Sequence, residues 1–308
     1  MDASNDLGVV VLTHGPKGEY PPLLAALLDQ GVPPESIAIA HNPVDASDPE
    51  IEPPDPGIAV LRMPKNLAYA GGMNAGIRHH LERGVRLVLL LTHDVRLRPG
   101  AVAALLDAAE RAPEFGVLAP LIWARGEDRV FSYGGRSGCR GGWVEHILEG
   151  PPAASHGIAE CDWADGAALL IRREVLEKVG VFDERLFIYF EETDLCLRAR
   201  RAGWRVGVVL AAGAEQESGQ PARPGFHAYL ISRNGFEYAR RVNGFVGVAA
   251  TARRALVETW QLARSYRGAD TDERAFARVK LIGMWLGFLD FLRHRFGPPP
   301  ERVGRLGR

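Results

Sequence analysis

Residues 7–13 read LGVVVLT, an apolar, β-branched run closed by Gly15-Pro16. A short continuous run of this kind has no wet face and reads as a strand buried on both sides, as in the parallel sheets of α/β proteins. Outward from it the pattern repeats. Tyr20–Gln30 has helical spacing and stops at Gly31; Ser36–Ala40 and Ile58–Met63 read as further strands; Ala70–Arg83 reads as a helix ending at Gly84. Arg86–Thr92, RLVLLLT, is a fourth strand, and Pro99–Ala112 is an amphipathic helix with proline at its start. Strand and helix alternate four times within about 110 residues, the mark of a doubly wound α/β sheet.

Beyond this core, the stretch from Trp123 to Pro152 is Gly-rich and irregular (SYGGRSGCRGGW, 132–143) and reads as a hairpin and loop over the site. Asp165–Gly180 reads as a strand and short helix, Phe190–Ala202 as a helix closed by Gly203, and Arg205–Leu210 as another strand. Past Gly225 the chain reads as helices. The expected division is an α/β domain over 1–228 and a helical extension over 229–308.

The chain has 308 residues, 46% of them hydrophobic, and a formal charge of -1. That apolar fraction suits a packed core and excludes a disordered chain; the small net charge argues against nucleic-acid binding. The charge is unevenly spread: residues 231–308 carry 15 Lys+Arg against 7 Asp+Glu, so the body is acidic and the tail basic. Such a tail is either a solvated helical face or a surface that meets anionic lipid, an anionic acceptor or a second subunit. The three cysteines, Cys139, Cys161 and Cys196, are odd in number and lack CxxC spacing, which fits a reducing cytosol rather than a disulfide framework or a Cys-rich zinc site. The N-terminal MDASNDLGVVVLTHG has no basic n-region and is not expected to be a signal peptide. No run reaches the roughly 18 apolar residues of a spanning helix. VKLIGMWLGFLDFL (279–292) comes nearest, but Lys280 and Asp290 interrupt it, so it reads as a buried helix or one lying on a membrane face.

Ligands of doubly wound sheets bind beyond the carboxyl ends of the strands. Thr13-His14, His41-Asn42, Lys65-Asn66 and His93-Asp94 all fall there. Asp94 is either a ligand for a hard divalent cation, which favours carboxylate oxygens and leaves room for phosphate, or a cap for the following turn. NLAYAGGMNAGI (66–77) opens a helix with paired glycines, which either bring backbone N–H groups to an anion or pack the helix closely on the sheet. It matches neither G-x-G-x-x-G nor a P-loop. Glu191, Glu192 and Asp194 open a helix that closes on Arg198, Arg200 and Arg201. That arrangement suits the helix dipole, yet the aromatic run FDERLFIYF before it would desolvate a carboxylate and raise its pKa toward that of a general base. His79, His80 and His227 have no metal spacing. Ser132, Ser155 and Ser218 lack a G-x-S-x-G elbow, which disfavours a serine hydrolase.

Four blocks in this order, VVVLTHG (9–15), NLAYAGGMNAG (66–76), LLLTHDVRL (89–97) and DGAALLIRREVLEKVGVFDERLFIYFEETDLCLRARRAGW (165–204), resemble the inverting glycosyltransferases of family 2, closest to the bacterial rhamnosyltransferase-like branch. The resemblance runs from Val9 to about Arg241. It implies the GT-A fold: a Rossmann-like, doubly wound, mostly parallel sheet with a C-terminal helical extension. It implies a nucleotide-sugar donor, with thymidine or uridine diphosphate leading and rhamnose as the sugar, and a glycan, lipid-linked or small-molecule acceptor. Position by position, Asp94 becomes the carboxylate that reaches the donor diphosphate through Mn²⁺ or Mg²⁺. Thr13, His14, His41, Asn42, Asn66, Gly71, Gly72, Asn74 and His93 fall on the donor side. Asp165, Gly166 and Trp163 fall on the acceptor side. Glu192 takes the position of the catalytic base, with Glu191 beside it and with Asp194 and Arg198 as buttresses. The resemblance also implies a cytoplasmic enzyme that can touch the membrane peripherally and can form homo-oligomers.

Three positions depart from the family pattern. His41-Asn42 stands where Asp-Asn is usual, Thr92-His93-Asp94 holds one carboxylate, and Gln216, flanked by Glu215 and Glu217, stands where a late histidine often completes the metal site. Gln216 and Glu217 are the remaining candidate ligands. Two other readings follow from these departures and from fold alone: a catalytically impaired nucleotide-sugar-binding protein, and a sugar nucleotidyltransferase, whose Gly-rich basic loop after the first strand is here only THGPKGEYPP.

Overall fold

The computed structural model describes residues 6–15, 20–45, 47–48, 51–138, 144–150, 154–155, 157–217, 223–265 and 270–306. Cys139, Ser218 and part of the Gly-rich 132–143 loop fall outside them, as do residues 16–19 after the first strand and the side chain of Ser155. The chain falls into two compact units: Met1–Arg136 with His146–Asp183 and Glu192–Ser218, and Ser137–Glu145 with Glu184–Glu191 and Gly219–Arg308.

The first unit is a large mixed sheet between helices. In chain order the strands and helices up to residue 216 are β1 (Leu7–His14), α1 (Tyr20–Asp29), β2 (Ile37–Asn42), β3 (Ala59–Arg62), α2 (Ala68–Glu82), β4 (Leu87–Thr92), β5 (Arg96–Leu97), α3 (Ala101–Arg111), β6 (Phe115–Ala124) and β7 (Val130–Ser132). The short strands β8 (Gly135–Ser137), β9 (Val144–His146) and β10 (Ala154–Ser155) follow, then β11 (Ile158–Cys161), β12 (Ala168–Arg172), α4 (Arg173–Val179), α5 (Glu191–Arg201) and β13 (Arg205–Gln216). The main path through the sheet is β10-β11-β13-β6-β12-β4-β1-β2-β3.

The parallel block is β4-β1-β2-β3, where Val9 aligns with Ile37 on one side and Leu89 on the other. β12 enters antiparallel between β4 and β6, so its N-terminal end lies at the carboxyl edge of its neighbours. β1 and β2 are buried along nearly their whole length, because helices cover both faces. The helix α2 reaches β1 closely enough that a Cβ at Gly76 would run into Val10. His80, from the same helix, lies 3.1 Å from the Val9 carbonyl through Nε2, and burial pushes its pKa down to about 4.

The strand alternation read from the sequence passes over residues 113–122, where β6 forms one of the central strands. Its Pro120 cannot donate to a ladder. It aligns with Val209 of β13 just where the register shifts between Val209 and Gly213, so the missing N–H falls at an irregularity. β13 itself runs on to Gln216, well past the expected end at Leu210.

The second unit is helical, as expected past Gly225. Its long helix α6 (Pro224–Ser265) breaks at Asn243 and Gly244, and α7 (Thr271–Leu292) starts with a capping box between Asp270 and Glu273. A four-residue helix, α8 (Glu301–Gly304), follows. Gly283 and Gly287 of α7 lie directly on the α6 backbone, and Phe236 packs on Phe288 and Phe291. Asp290, which interrupts the apolar run, is buried and accepts a 2.8 Å hydrogen bond from the Tyr229 hydroxyl. Lys280 pairs with Glu258. Among the described residues no helix is long and apolar enough to cross a membrane.

Candidate active site

The carboxyl edge of the parallel block carries the residues expected on the donor side. Thr13 and His41 end neighbouring strands, and Thr13 Oγ1 lies 2.9 Å from His41 Nδ1. Burial, helped by the Arg62 charge, lowers the His41 pKa, so the ring is held neutral. Asn42, at the tip of β2, shapes the next loop: its amide accepts from Leu67 N (3.1 Å) and donates to the Ala68 carbonyl (2.7 Å). Asn66 accepts from Ala68 N at 2.7 Å. Together these bonds hold Ala68 at φ 53, an uncommon conformation for a residue with a Cβ. His14 Nδ1 sits 3.2 Å from the Asn42 carbonyl and 3.5 Å from Asn66 Nδ2.

Gly71, Gly72 and Asn74, also expected on the donor side, have structural contacts of their own. Gly71 donates its N–H to the Leu67 carbonyl within the first turn of α2, and a Cβ at Gly72 would strike Leu12 and Asn42. Gly72 thus packs the helix against the sheet, and the Gly71 N–H is spent on the helix's first turn. Asn74 is fully buried, and its amide both accepts from and donates to the Phe182 backbone at 3.0 and 2.9 Å. It pins two distant segments together and is shut off from solvent.

The tip of β4 meets the start of β12. Thr92 N donates to the Ala167 carbonyl and His93 N to the Leu12 carbonyl, both at 3.0 Å. Asp94 follows in the turn that Val95 N closes onto the Thr92 carbonyl. On the other side of Ala167 lie Gly166, whose carbonyl accepts from the Tyr69 hydroxyl at 2.5 Å, and Asp165. A Cβ at Gly166 would stand 3.0 Å from the Tyr69 hydroxyl and 3.5 Å from Glu192 Cγ. Asp94 and Glu192 are thereby carried to one edge of the sheet.

Glu192 is half-buried, and loss of hydration, reinforced by the nearby Asp165 charge, pushes its pKa up to about 7. The Thr193 hydroxyl donates to its Oε1 at 3.1 Å. Glu191 is 3% exposed and so is much the less accessible of the pair. Arg198 fixes α5 from below: it bonds Asp194 at 2.8 Å and also the Val179 and Val181 carbonyls. Beside Asp165 stands an aromatic wall in which His146 packs against Trp163 (4.8 Å) and Phe131 (5.4 Å), with its Nδ1 3.8 Å from Asp165 Oδ2.

Buried polar atoms almost always have partners, and exceptions call for explanation. Among the described residues seven buried side-chain atoms have no hydrogen-bond partner: Glu191 Oε2, Ser232 Oγ, Asp290 Oδ1, and a group of four, His41 Nε2, Thr92 Oγ1, Asp165 Oδ2 and Arg125 Nε. All four stand at this same edge, where a polar ligand would satisfy them.

The donor set permits a divalent ion in one manner only. No described residue donates to the Asp94 carboxylate, whereas the Glu217 carboxylate is held by Arg125 at 2.9 Å. The same guanidinium bonds the Asp94 carbonyl, and Arg125 N donates to the Gln216 carbonyl. No group of three or more His, Cys, Asp or Glu among the described residues could hold a metal unaided. A hard cation bound through one carboxylate and the phosphate oxygens of a substrate fits Asp94.

Tyr69, Arg125 and His146 belong to this edge and escaped the sequence reading. Tyr69 lies inside the quoted NLAYAGGMNAG block and could have been picked out there. Arg125 and His146 follow β6 and the irregular loop, where no pattern marks them.

A doubly wound sheet with its site at the carboxyl edge, interrupted by one antiparallel strand, is the GT-A glycosyltransferase fold. Two solved enzymes share it: GalNAc-T7 with UDP, GalNAc and Mn2+ (TM-score 0.57, 12% identity, 96% of this chain and 58% of that one) and the mannosyltransferase PcManGT of Pyrobaculum calidifontis with GDP-Man and Mn2+ (TM-score 0.55, 12% identity, 94% and 87%). The model of glycosyl transferase family 2 matches residues 9–180, more than half of the chain, and the protein belongs to that family. A curated relative, the N-acetylglucosaminyl-diphospho-decaprenol L-rhamnosyltransferase of Mycobacterium tuberculosis, is 32% identical over 223 residues, 64% of this chain and 71% of that protein. The protein is a glycosyltransferase that draws on a nucleotide sugar.

Proposed function

We propose that the protein transfers a hexosyl group, rhamnose foremost, from a thymidine- or uridine-diphosphate sugar to a hydroxyl of a lipid-linked glycan in one inverting displacement. The sugar and the acceptor class follow from the name of the mycobacterial relative. The observation that carries the mechanism is Glu192: a carboxyl poised near pH 7, against Gly166 and Asp165, at the sheet edge that also holds Asp94.

In this reading the acceptor enters along Trp163, His146 and Asp165. Glu192 takes the proton of the acceptor hydroxyl while that oxygen attacks the anomeric carbon from the face opposite the diphosphate. The bond from the anomeric carbon to the diphosphate oxygen breaks, and the nucleoside diphosphate leaves. Thr13, His41 and Asn66 line the nucleoside side, and Arg125 adds a fixed positive charge next to Asp94. Asp94 would hold Mn²⁺ or Mg²⁺, which when bound neutralises charge on the departing diphosphate.

The test is a nucleoside-diphosphate release assay with dTDP-rhamnose and an N-acetylglucosaminyl-diphospho-polyprenol, run with and without chelator, with product configuration read by NMR. Glu192→Gln is expected to lower kcat by on the order of 10³, with nucleotide binding within about twofold by thermal shift. Transfer by this variant at the wild-type rate would remove Glu192 from the role of base. A product of retained configuration would exclude single displacement.

A further inference from the structure

The helix that carries Glu192 begins directly after a loop of unusual backbone. Phe187, Tyr189 and Phe190 stand at φ 71, 72 and 73, a left-handed region that residues with a Cβ avoid. The run LFIYF offers no glycine to ease this. Left to itself, such a segment would relax to ordinary dihedrals, and the first turn of α5 would turn with it. Strain of this kind persists only where the surroundings over-determine it, and it concentrates at functional sites.

Two adjacent residues of α6 supply the restraint. Asn234 is fully buried, and its Nδ2 donates to the Leu186 (2.9 Å), Ile188 (3.0 Å) and Tyr189 (2.8 Å) carbonyls. One amide nitrogen has two hydrogens, so at least one is shared between two of these carbonyls, and carbonyls from four consecutive residues meet at one nitrogen only where the chain curls back. Arg233 is 1% exposed. Its Nη2 donates to the Leu186 carbonyl at 3.0 Å, its Nη1 to the Gly297 carbonyl at 2.8 Å, and its Nε to Asn234 Oδ1 at 3.0 Å. The arginine thus locks the amide in the orientation the loop needs. Phe190, the last residue before α5, lies over Gly235 and packs on the Tyr238 ring at 5.6 Å.

We propose that Arg233 and Asn234 are positioning residues for catalysis: they clamp residues 186–190 in a strained form and thereby fix the start of the helix that presents the base. This rests on Glu192 being that base. Both clamp residues are buried and act through the loop. A clamp that served stability alone would leave the titration of Glu192 and the ratio of kcat to KM unmoved.

The experiment follows the Glu192 carboxyl by ¹³C NMR in the full chain labelled at glutamate Cδ, with its signal assigned from Glu192→Gln. Steady-state kinetics on dTDP-rhamnose and the polyprenol-linked acceptor are measured in parallel. Asn234→Ala frees the first turn of α5, and a carboxyl that moves more freely is better hydrated, so the titration midpoint of Glu192 is expected to fall by a pH unit or more. Turnover is expected to drop by about 100-fold, with donor KM within threefold. Adding Phe187→Gly, which accepts a positive φ without restraint, should recover part of the lost kcat. If Asn234→Ala does not fold, Arg233→Lys is read for the same shift at smaller amplitude. A folded variant with an unchanged midpoint and unchanged kcat overturns the clamp. If Glu192→Gln turns over at the wild-type rate, the assignment of the base has failed instead, and the NMR shift still reports whether the loop is clamped.

Discussion

The two sides of the reaction site are held in place by different means. On the donor side, Thr13, His41 and Asn42 end strands that pair with one another, and short contacts between neighbouring tips, Thr13 to His41 and Asn42 to the start of α2, set their geometry. The residues proposed to bind also knit the fold. On the base side, Glu192 lies in the first turn of a helix that follows three left-handed residues, and its carboxyl is partly desolvated. There the fold works against the group it presents. Substitutions on the two sides should therefore move stability in opposite directions.

The larger effect belongs to the donor side. Asn42→Ala leaves the Leu67 N–H and the Ala68 carbonyl without the partners they have now. Two part-buried groups that lose a partner cost about 2–3 kcal/mol of unfolding free energy. Denaturant midpoints at constant slope measure this, and an unchanged midpoint would mean that the α2 loop is anchored elsewhere. On the base side the sign reverses. A carboxyl whose folded pKa is raised to about 7 binds more protons in the folded than in the unfolded state between roughly pH 4.5 and 7, so it lowers stability as pH rises through that window. Glu192→Gln removes the liability. At pH 8 the variant should be more stable than the parent by on the order of 2 kcal/mol, and the gain should vanish near pH 4. Equal stability at both pH values would mean that the Glu192 carboxyl is well hydrated.

The same contrast explains what was legible in the sequence. Strand tips announce themselves, since an apolar run such as LGVVVLT or RLVLLLT ends where its polar residues begin, and the doubly wound rule says which end faces the ligand. That rule puts Thr13, His41, Asn66 and Asp94 at or just past strand ends, where the structure has them. Pattern reading was weaker where packing decided the outcome. β6 contains Pro120, tolerable only because β13 shifts register beside it, and no local rule foretells a compensating irregularity on another strand. Asn74 shares its motif with the donor-side residues, yet its amide is committed to Phe182, 108 positions away. Arg233 and Asn234 lie in an unremarkable helical run. Their importance arises from the dihedrals of a loop near residue 188, and left-handed backbone at Phe and Tyr leaves no trace in composition.

The smallest predicted effect concerns His41, which stands where the family pattern has aspartate. An aspartate there would offer only acceptors at neutral pH. A neutral imidazole spends Nδ1 on Thr13 and leaves Nε2 as a single polar atom, buried and without a partner. If the nucleoside satisfies that atom, His41→Phe, which keeps the ring and deletes the nitrogen, should raise donor KM by about tenfold, the worth of one buried hydrogen bond, with kcat within threefold. Because Thr13 then also loses its partner, Thr13→Val is the matched control: it breaks the same contact while leaving Nε2 in place. A KM that rises equally in both variants would trace the effect to the strand-tip contact. A rise confined to His41→Phe would make Nε2 a contact to the donor, and the departure from aspartate would then be a change in how the base is read.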